Sequence, residues 1–115
     1  MTAPTIDRAT FEALKQTAGS EFVLELVDTF LQEAPGMLDE LRRALKAQDA
    51  DKFRRAAHSL KSNSNTFGAL TLGAMARELE LGGLAKVVER DGKPLDALVE
   101  EYARVAAALT ELRHA

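Results

Sequence analysis

His58 sits in the run Arg54-Arg55-Ala56-Ala57-His58-Ser59-Leu60-Lys61-Ser62, and the residue types around it decide what an imidazole there can do. On a helix of about 3.6 residues per turn, Phe53, Ala57, Leu60, Ser64 and Phe67 share one stripe, the expected buried face. Arg54, Arg55, His58, Lys61, Ser62 and Asn65 fall on the other side, so the histidine is shown to solvent with cations one turn before and after it. A free imidazole titrates near about pH 6.5, which leaves a useful share neutral and nucleophilic at cellular pH. Attack on phosphorus requires that the second ring nitrogen be held in the right tautomer, work suited to a carboxylate or amide on a neighbouring helix. Lys61 can offset charge on a phosphoryl group, and Ser62 is small enough to leave the ring open to a large partner. Taken alone, an exposed histidine is equally an ordinary polar surface residue, and only the set of neighbours favours the nucleophile.

Other chemistries find little support. There is no glycine-rich phosphate loop and no magnesium-ligand cluster, so any phosphoryl group is expected to come from, and go to, another protein. The chain has no cysteine and two widely separated histidines, which argues against a metal site. His114 lies near the chain end and is given no role. No Ser-His-Asp hydrolase pattern is present.

The elements that must position His58 are helices. Ala and Leu dominate, and no two-residue alternation of apolar residues stands out. Thr5 or Asp7 can cap a short first helix reaching about Gln16. Ser20 can cap a second, on which Phe22, Leu26, Phe30 and Ala34 recur at helical spacing. Pro35-Gly36 implies a kink or a fresh start before Met37, Leu38, Leu41 and Leu45 carry the stripe to about Ala47. The His58 helix runs from about Asp51 to Phe67 and stops at Gly68. The next starts near Leu70 or Thr71, with Leu72, Met75, Ala76 and Leu79 on one face. It either ends at Gly82-Gly83 or runs on to Glu89. Asp91-Gly92-Lys93-Pro94 is a turn, and a last helix from Leu95 to about Arg113 buries Leu98, Tyr102, Val105 and Leu109. One short and four longer helices with short connections imply an all-α fold, an antiparallel four-helix bundle with a short extra N-terminal helix. The 115 residues suit a single domain, 1–115, with the bundle at about 20–113.

At 46% hydrophobic and 29% charged residues the composition is that of a globular protein, without an apolar run long enough for a membrane. Met1 to Asp7 lacks the basic-then-apolar pattern of a signal peptide. The formal charge of −3 argues against general nucleic-acid binding. From Leu41 to Lys61, however, seven Lys or Arg face only Asp49 and Asp51, a local +5 that leaves −8 elsewhere. Such a stripe suits an acidic partner or is simply a solvated helix face.

The segment Ala57-His58-Ser59-Leu60-Lys61-Ser62-Asn63-Ser64-Asn65-Thr66-Phe67-Gly68 resembles the motif of histidine-phosphotransfer (HPt) domains. In that motif His-x-Leu-Lys-Gly/Ser is followed by small polar residues, then an apolar residue and a glycine ten positions after the histidine. The resemblance extends to Leu79-Glu80 and back to Phe22–Phe30. It implies that His58 is phosphorylated, that Lys61 meets the phosphoryl group, that Glu80 hydrogen-bonds the imidazole, and that Gly68 lets the chain turn. Ser62 stands where glycine is commonest. The family implies a stoichiometric phosphocarrier in a multistep phosphorelay, not an enzyme with its own ATP site. Its partners would be response-regulator receiver domains or a hybrid sensor histidine kinase, with Mg²⁺ only on the receiver and no cofactor here. Arg54, Arg55, Ser62, Asn65 and Gly68 are the expected partner-binding residues, with Ile6 and Leu31 as weaker apolar candidates. A monomer in the cytoplasm is expected, and the initial Met suggests a free-standing protein. Two other readings stay open: a helical interaction module that no longer transfers phosphate, and the phosphate-accepting domain of a chemotaxis-type kinase.

Overall fold

Asp7 starts the first helix, α1 (Arg8–Ala18), through a carboxylate that accepts the backbone N–H of Thr10 at 3.1 Å and the Thr10 hydroxyl. The computed structural model describes residues 5–114, with no side-chain description for His114. Met1–Pro4 and Ala115 lie outside the described residues, as do the His114 side chain and most of the N-terminal stretch read for a signal peptide. α1 ends two residues later than the apolar spacing suggests, because Gly19, at φ 90°, is the first residue free to leave the helix.

α2 (Ser20–Ala47) is one continuous helix through Pro35. Its 28 residues span about 42 Å, which accounts for the 41 Å long dimension of the molecule. Pro35 and Gly36 are on the exposed side, where the carbonyl freed by the missing proline N–H can face water. The stripe is one position out of phase with the Phe22–Leu26 expectation. Val23 and Val27 are buried in register with Phe30, Ala34, Leu38 and Leu41, Leu26 is half-buried, and Phe22 is 51% exposed.

α3 (Ala50–Thr66) is capped at its start by Asp49, whose carboxylate accepts the Lys52 N–H at 3.1 Å. It ends in a Schellman pair: Gly68 N–H donates to the Asn65 carbonyl and Ala69 N–H to the Ser64 carbonyl, at 3.1 and 2.9 Å. Gly68 takes φ +83° there. The buried stripe is the expected one, Phe53, Ala57, Leu60, Ser64 and Phe67, joined by Ala56. The buried Ser64 hydroxyl donates to the Leu60 carbonyl at 2.6 Å and so carries no unmet polar group inward.

α4 (Leu70–Glu89) both breaks and continues at the double glycine. Gly83 has φ 73° and ψ 179°, a conformation open only to glycine, and helix resumes beyond it to bury Val87. After the turn at Asp91-Gly92, α5 (Lys93–His114) buries Leu95, Leu98, Val105 and Leu109, with Tyr102 half-buried. α3 packs between α2 and α4, and α5 closes the ring against α4 and α2, giving the four-helix bundle with α1 laid against α2 and α3. Arg113 ties α5 to α2 through Asp28, with Nε–Oδ1 and Nη2–Oδ2 distances of 2.5 and 3.0 Å. Among the described residues no helix is long and apolar enough to cross a membrane.

Two expected docking residues belong to this framework instead. Ile6 is buried beneath the start of α1. Gly68 is buried too: its carbonyl accepts the Asp7 N–H at 2.8 Å, and a Cβ added to it would stand 2.7 Å from the Asp7 carbonyl oxygen. It stitches α1 to the α3–α4 turn and has no surface to offer a partner. Gly68→Ala therefore combines a left-handed backbone with a collision against main chain. Urea unfolding is expected to show a loss of about 1–3 kcal/mol with the helical content of the native state retained.

Candidate functional site

α3 and α4 run antiparallel across the tight Gly68 turn, and this places Glu80 of α4 beside the middle of α3. Glu80 Oε2 lies 2.7 Å from His58 Nδ1, and Glu80 Oε1 accepts from Lys61 Nζ at 2.8 Å. One carboxylate thus bridges two side chains that are themselves one helical turn apart. The burial is graded: Glu80 is 14% exposed, Lys61 23%, and the His58 ring 56%. The carboxylate forms the floor of the site and the imidazole its open face.

The electrostatics follow from this arrangement. The Lys61 ammonium first, and the His58 hydrogen bond second, hold the Glu80 carboxyl below its ordinary range, against the opposing effect of partial burial. Glu80 is therefore an anion at neutral pH and can only accept. The ring atom facing it must then carry the proton, so Nδ1–H donates to Oε2. In the neutral ring that leaves the lone pair on Nε2, the nitrogen not engaged by Glu80. A nucleophilic nitrogen is thereby turned to the exposed side without a proton having to move first. Lys61 spends one of three N–H donors on Glu80 and keeps two for an incoming anion.

The flanking residues divide. Ser62, one turn after His58, is exposed as expected and adds little bulk. Arg54 and Arg55 are exposed, but both reach back to Asp51, at 3.1 and 2.5 Å, and together they hold its carboxyl below the usual range. The two arginines of the basic stripe are accordingly tethered to a carboxylate on their own helix. The i, i+3 and i, i+4 spacing of Asp51 to the two arginines was readable from the sequence as the sign of that pairing. Asn65 is exposed, yet its carboxamide lies over Gly73 of α4, which the sequence did not single out. Leu31 is half-buried against the core. A groove of about 480 Å³ between α2 and α3, lined by Arg43, Lys52, Arg55 and Ser59 among others, runs beside the site but does not include His58. The exposed face of His58 is thus open surface outside that groove. Among the described residues no group of three or more His, Cys, Asp or Glu is arranged to hold a metal ion.

Known proteins resemble this chain in sequence and in fold. The family model "Hpt domain" matches residues 25–115. The crystal structure of histidine-containing phosphotransfer protein B (HptB) from Pseudomonas aeruginosa PAO1 superposes with a TM-score of 0.88 at 29% identity, covering 98% of this chain and 97% of that one. The HPT domain of a sensor hybrid histidine kinase from Shewanella shares the fold at a TM-score of 0.72 and 21% identity, over 94% and 92% of the two chains. Sensor protein TorS of Escherichia coli (strain K12) is 34% identical over 101 residues, which is 86% of this chain and 10% of TorS. The chain thus spans about a tenth of the length of that relative.

The Glu80 bridge makes a prediction for acid stability. A carboxyl held low in the folded state stabilises it above the unfolded value of about 4.5, and this contribution is lost as pH falls through the lower folded value. The stability difference between the native chain and Glu80→Gln should be full at neutral pH and shrink progressively below pH 4.5. Carbon-13 titration of the Glu80 carboxyl should find its midpoint raised more by Lys61→Met than by His58→Gln, in the order of the two causes.

Proposed function

This chain belongs to the Hpt domain family, the phosphotransfer modules of two-component phosphorelays, and from that premise we propose that His58 is its phosphoryl carrier, with Nε2 as the attacking atom. The observation that carries the reading is the exposed imidazole whose Nδ1 is bonded to a carboxylate anchored by Lys61. The donor is an aspartyl phosphate on a receiver domain. The Nε2 lone pair forms the P–N bond as the acyl P–O bond breaks, and the aspartate leaves as a carboxylate. The Nδ1 proton stays in place, so the phosphorylated ring becomes a cation beside the Glu80 anion. Lys61 faces the phosphoryl oxygens with its remaining N–H groups. Transfer onward to a second receiver's aspartate reverses these changes.

In this reading residues 1–115 form one domain that supplies a positioned nucleophile, while the receiver supplies Mg²⁺. No cofactor and no ATP site is required of this chain. Arg54, Arg55 and Ser62, around the exposed ring, form the contact surface. Their pairing with Asp51 makes the arginines contributors to partner orientation more than to affinity. In the same reading the carrier is cytoplasmic and has no nucleic-acid or membrane partner, and a bundle that buries its own apolar stripes supports a monomer.

The test is transfer of radiolabelled phosphate from a panel of phosphorylated receivers. Acid-labile, base-stable label is expected on the native chain and none on His58→Gln. Lys61→Ala is expected to accept about tenfold more slowly, having lost a charged donor at a partly solvated site. Label arriving only from a kinase charged with ATP would instead identify the acceptor domain of a chemotaxis-type kinase. A folded native chain that takes no label from either source would be an interaction module.

A further inference from the structure

Of the three glycines on α4, Gly73 alone has its missing side-chain space filled by another helix. A Cβ built on Gly73 would stand 2.0 Å from Asn65 Oδ1, 2.8 Å from its Cγ and 3.2 Å from its Nδ2. The corresponding space at Gly82 meets only Lys86 of its own helix, and at Gly83 it is open. Gly73 is buried, so the Asn65 carboxamide is seated in a notch in the α4 surface that any side chain would occupy.

The place of this notch matters. Asn65 lies seven residues after His58 on α3, and Gly73 lies seven residues before Glu80 on α4. Seven residues are close to two turns, so each pair shares one face of its helix. Because the helices are antiparallel, Asn65–Gly73 and His58–Glu80 are two rungs of one ladder, about 10 Å apart. A one-residue slip of α4 along α3 would be an axial shift of about 1.5 Å with a rotation of about 100°. Bonds of 2.7 and 2.8 Å to His58 and Lys61 would not survive it. Apolar side chains such as Leu60, Leu72 and Leu79 oppose the rotation, because it would turn the buried stripe outward, and the carboxamide seated over Gly73 adds a polar stop at the same interface.

We propose that Asn65 and Gly73 are positioning residues: the carboxamide seated over the glycine fixes the α3–α4 register that delivers Glu80 to His58 and Lys61. This assigns Asn65 an internal task in place of partner contact. Its consequence for phosphate transfer rests on the carrier reading above, but its consequence for the His58 ring does not.

The experiment compares the full native chain with Gly73→Ala, Asn65→Ala and the Asn65→Ala/Gly73→Ala pair. Folding is checked by circular dichroism. The His58 ring nitrogens are read by nitrogen-15 NMR, and acceptance is measured from a phosphorylated receiver. Gly73→Ala is expected to lose the ring spectrum of a hydrogen-bonded Nδ1–H and to accept phosphate about tenfold more slowly, as displaced catalytic groups do. Asn65→Ala empties the notch and is expected to weaken the ring signal and slow acceptance by less than Gly73→Ala does. The double variant lacks all three colliding atoms and is expected to return to the level of Asn65→Ala, not of Gly73→Ala. A Gly73→Ala chain with an unchanged ring spectrum would overturn the proposal, since the carboxamide would then simply have swung aside. So would an Asn65→Ala chain that transfers slowly with an unchanged ring, which would mark Asn65 as a partner contact. If the ring spectra behave as expected while the native chain accepts no phosphate, the positioning role stands and the carrier reading falls.

Discussion

A single carboxylate, Glu80, sits mostly buried between an imidazole and an ammonium, and the surrounding structure serves to keep it there. Removing a carboxylate from water without partners is costly, and its two partners come from the same helix, one turn apart. The arrangement is satisfied only when α3 and α4 stand at one spacing and one register. It also sets the polarity of the site. The anion draws the ring proton to Nδ1, and the nitrogen with the lone pair is the one on the side of the ring away from Glu80.

The turn between the two helices is built for that register. Gly68 adopts a left-handed conformation, closes the Schellman pair at the end of α3 and receives the first backbone group of the α1 region through its carbonyl. A residue the motif marks as important is therefore important for backbone geometry. The double glycine farther along α4 acts in the opposite sense. By breaking the helix three residues after Glu80, Gly83 ends the segment whose register is tied to α3 and lets the remainder re-enter the core at Val87 on its own terms.

The cations flanking His58 are tethered to carboxylates. Asp51 engages both arginines one turn before the histidine, and Glu80 engages the lysine one turn after it. What remains is a modest positive field around an exposed ring, with a groove between α2 and α3 alongside. Such a surface favours brief, oriented encounters, which suits a carrier that must release each partner after transfer.

Periodicity and capping residues determined the helices, the Phe53–Phe67 stripe and the exposure of His58, because these depend on neighbours within a turn or two. The motif around His58 was legible for the same reason, and with it the family. Other features depended on contacts between helices. Whether Pro35 stopped α2, whether Phe22 or Val23 faced inward, and whether Ile6 was free to meet a partner were decided by what each helix packs against. The local spacing in the sequence fits either answer. The Lys61–Glu80 bond joins residues 19 positions apart, and the Asn65–Gly73 contact depends on the absence of a side chain. A one-dimensional pattern carries no sign of either, because only the packed pair of helices defines the distance across which those groups meet.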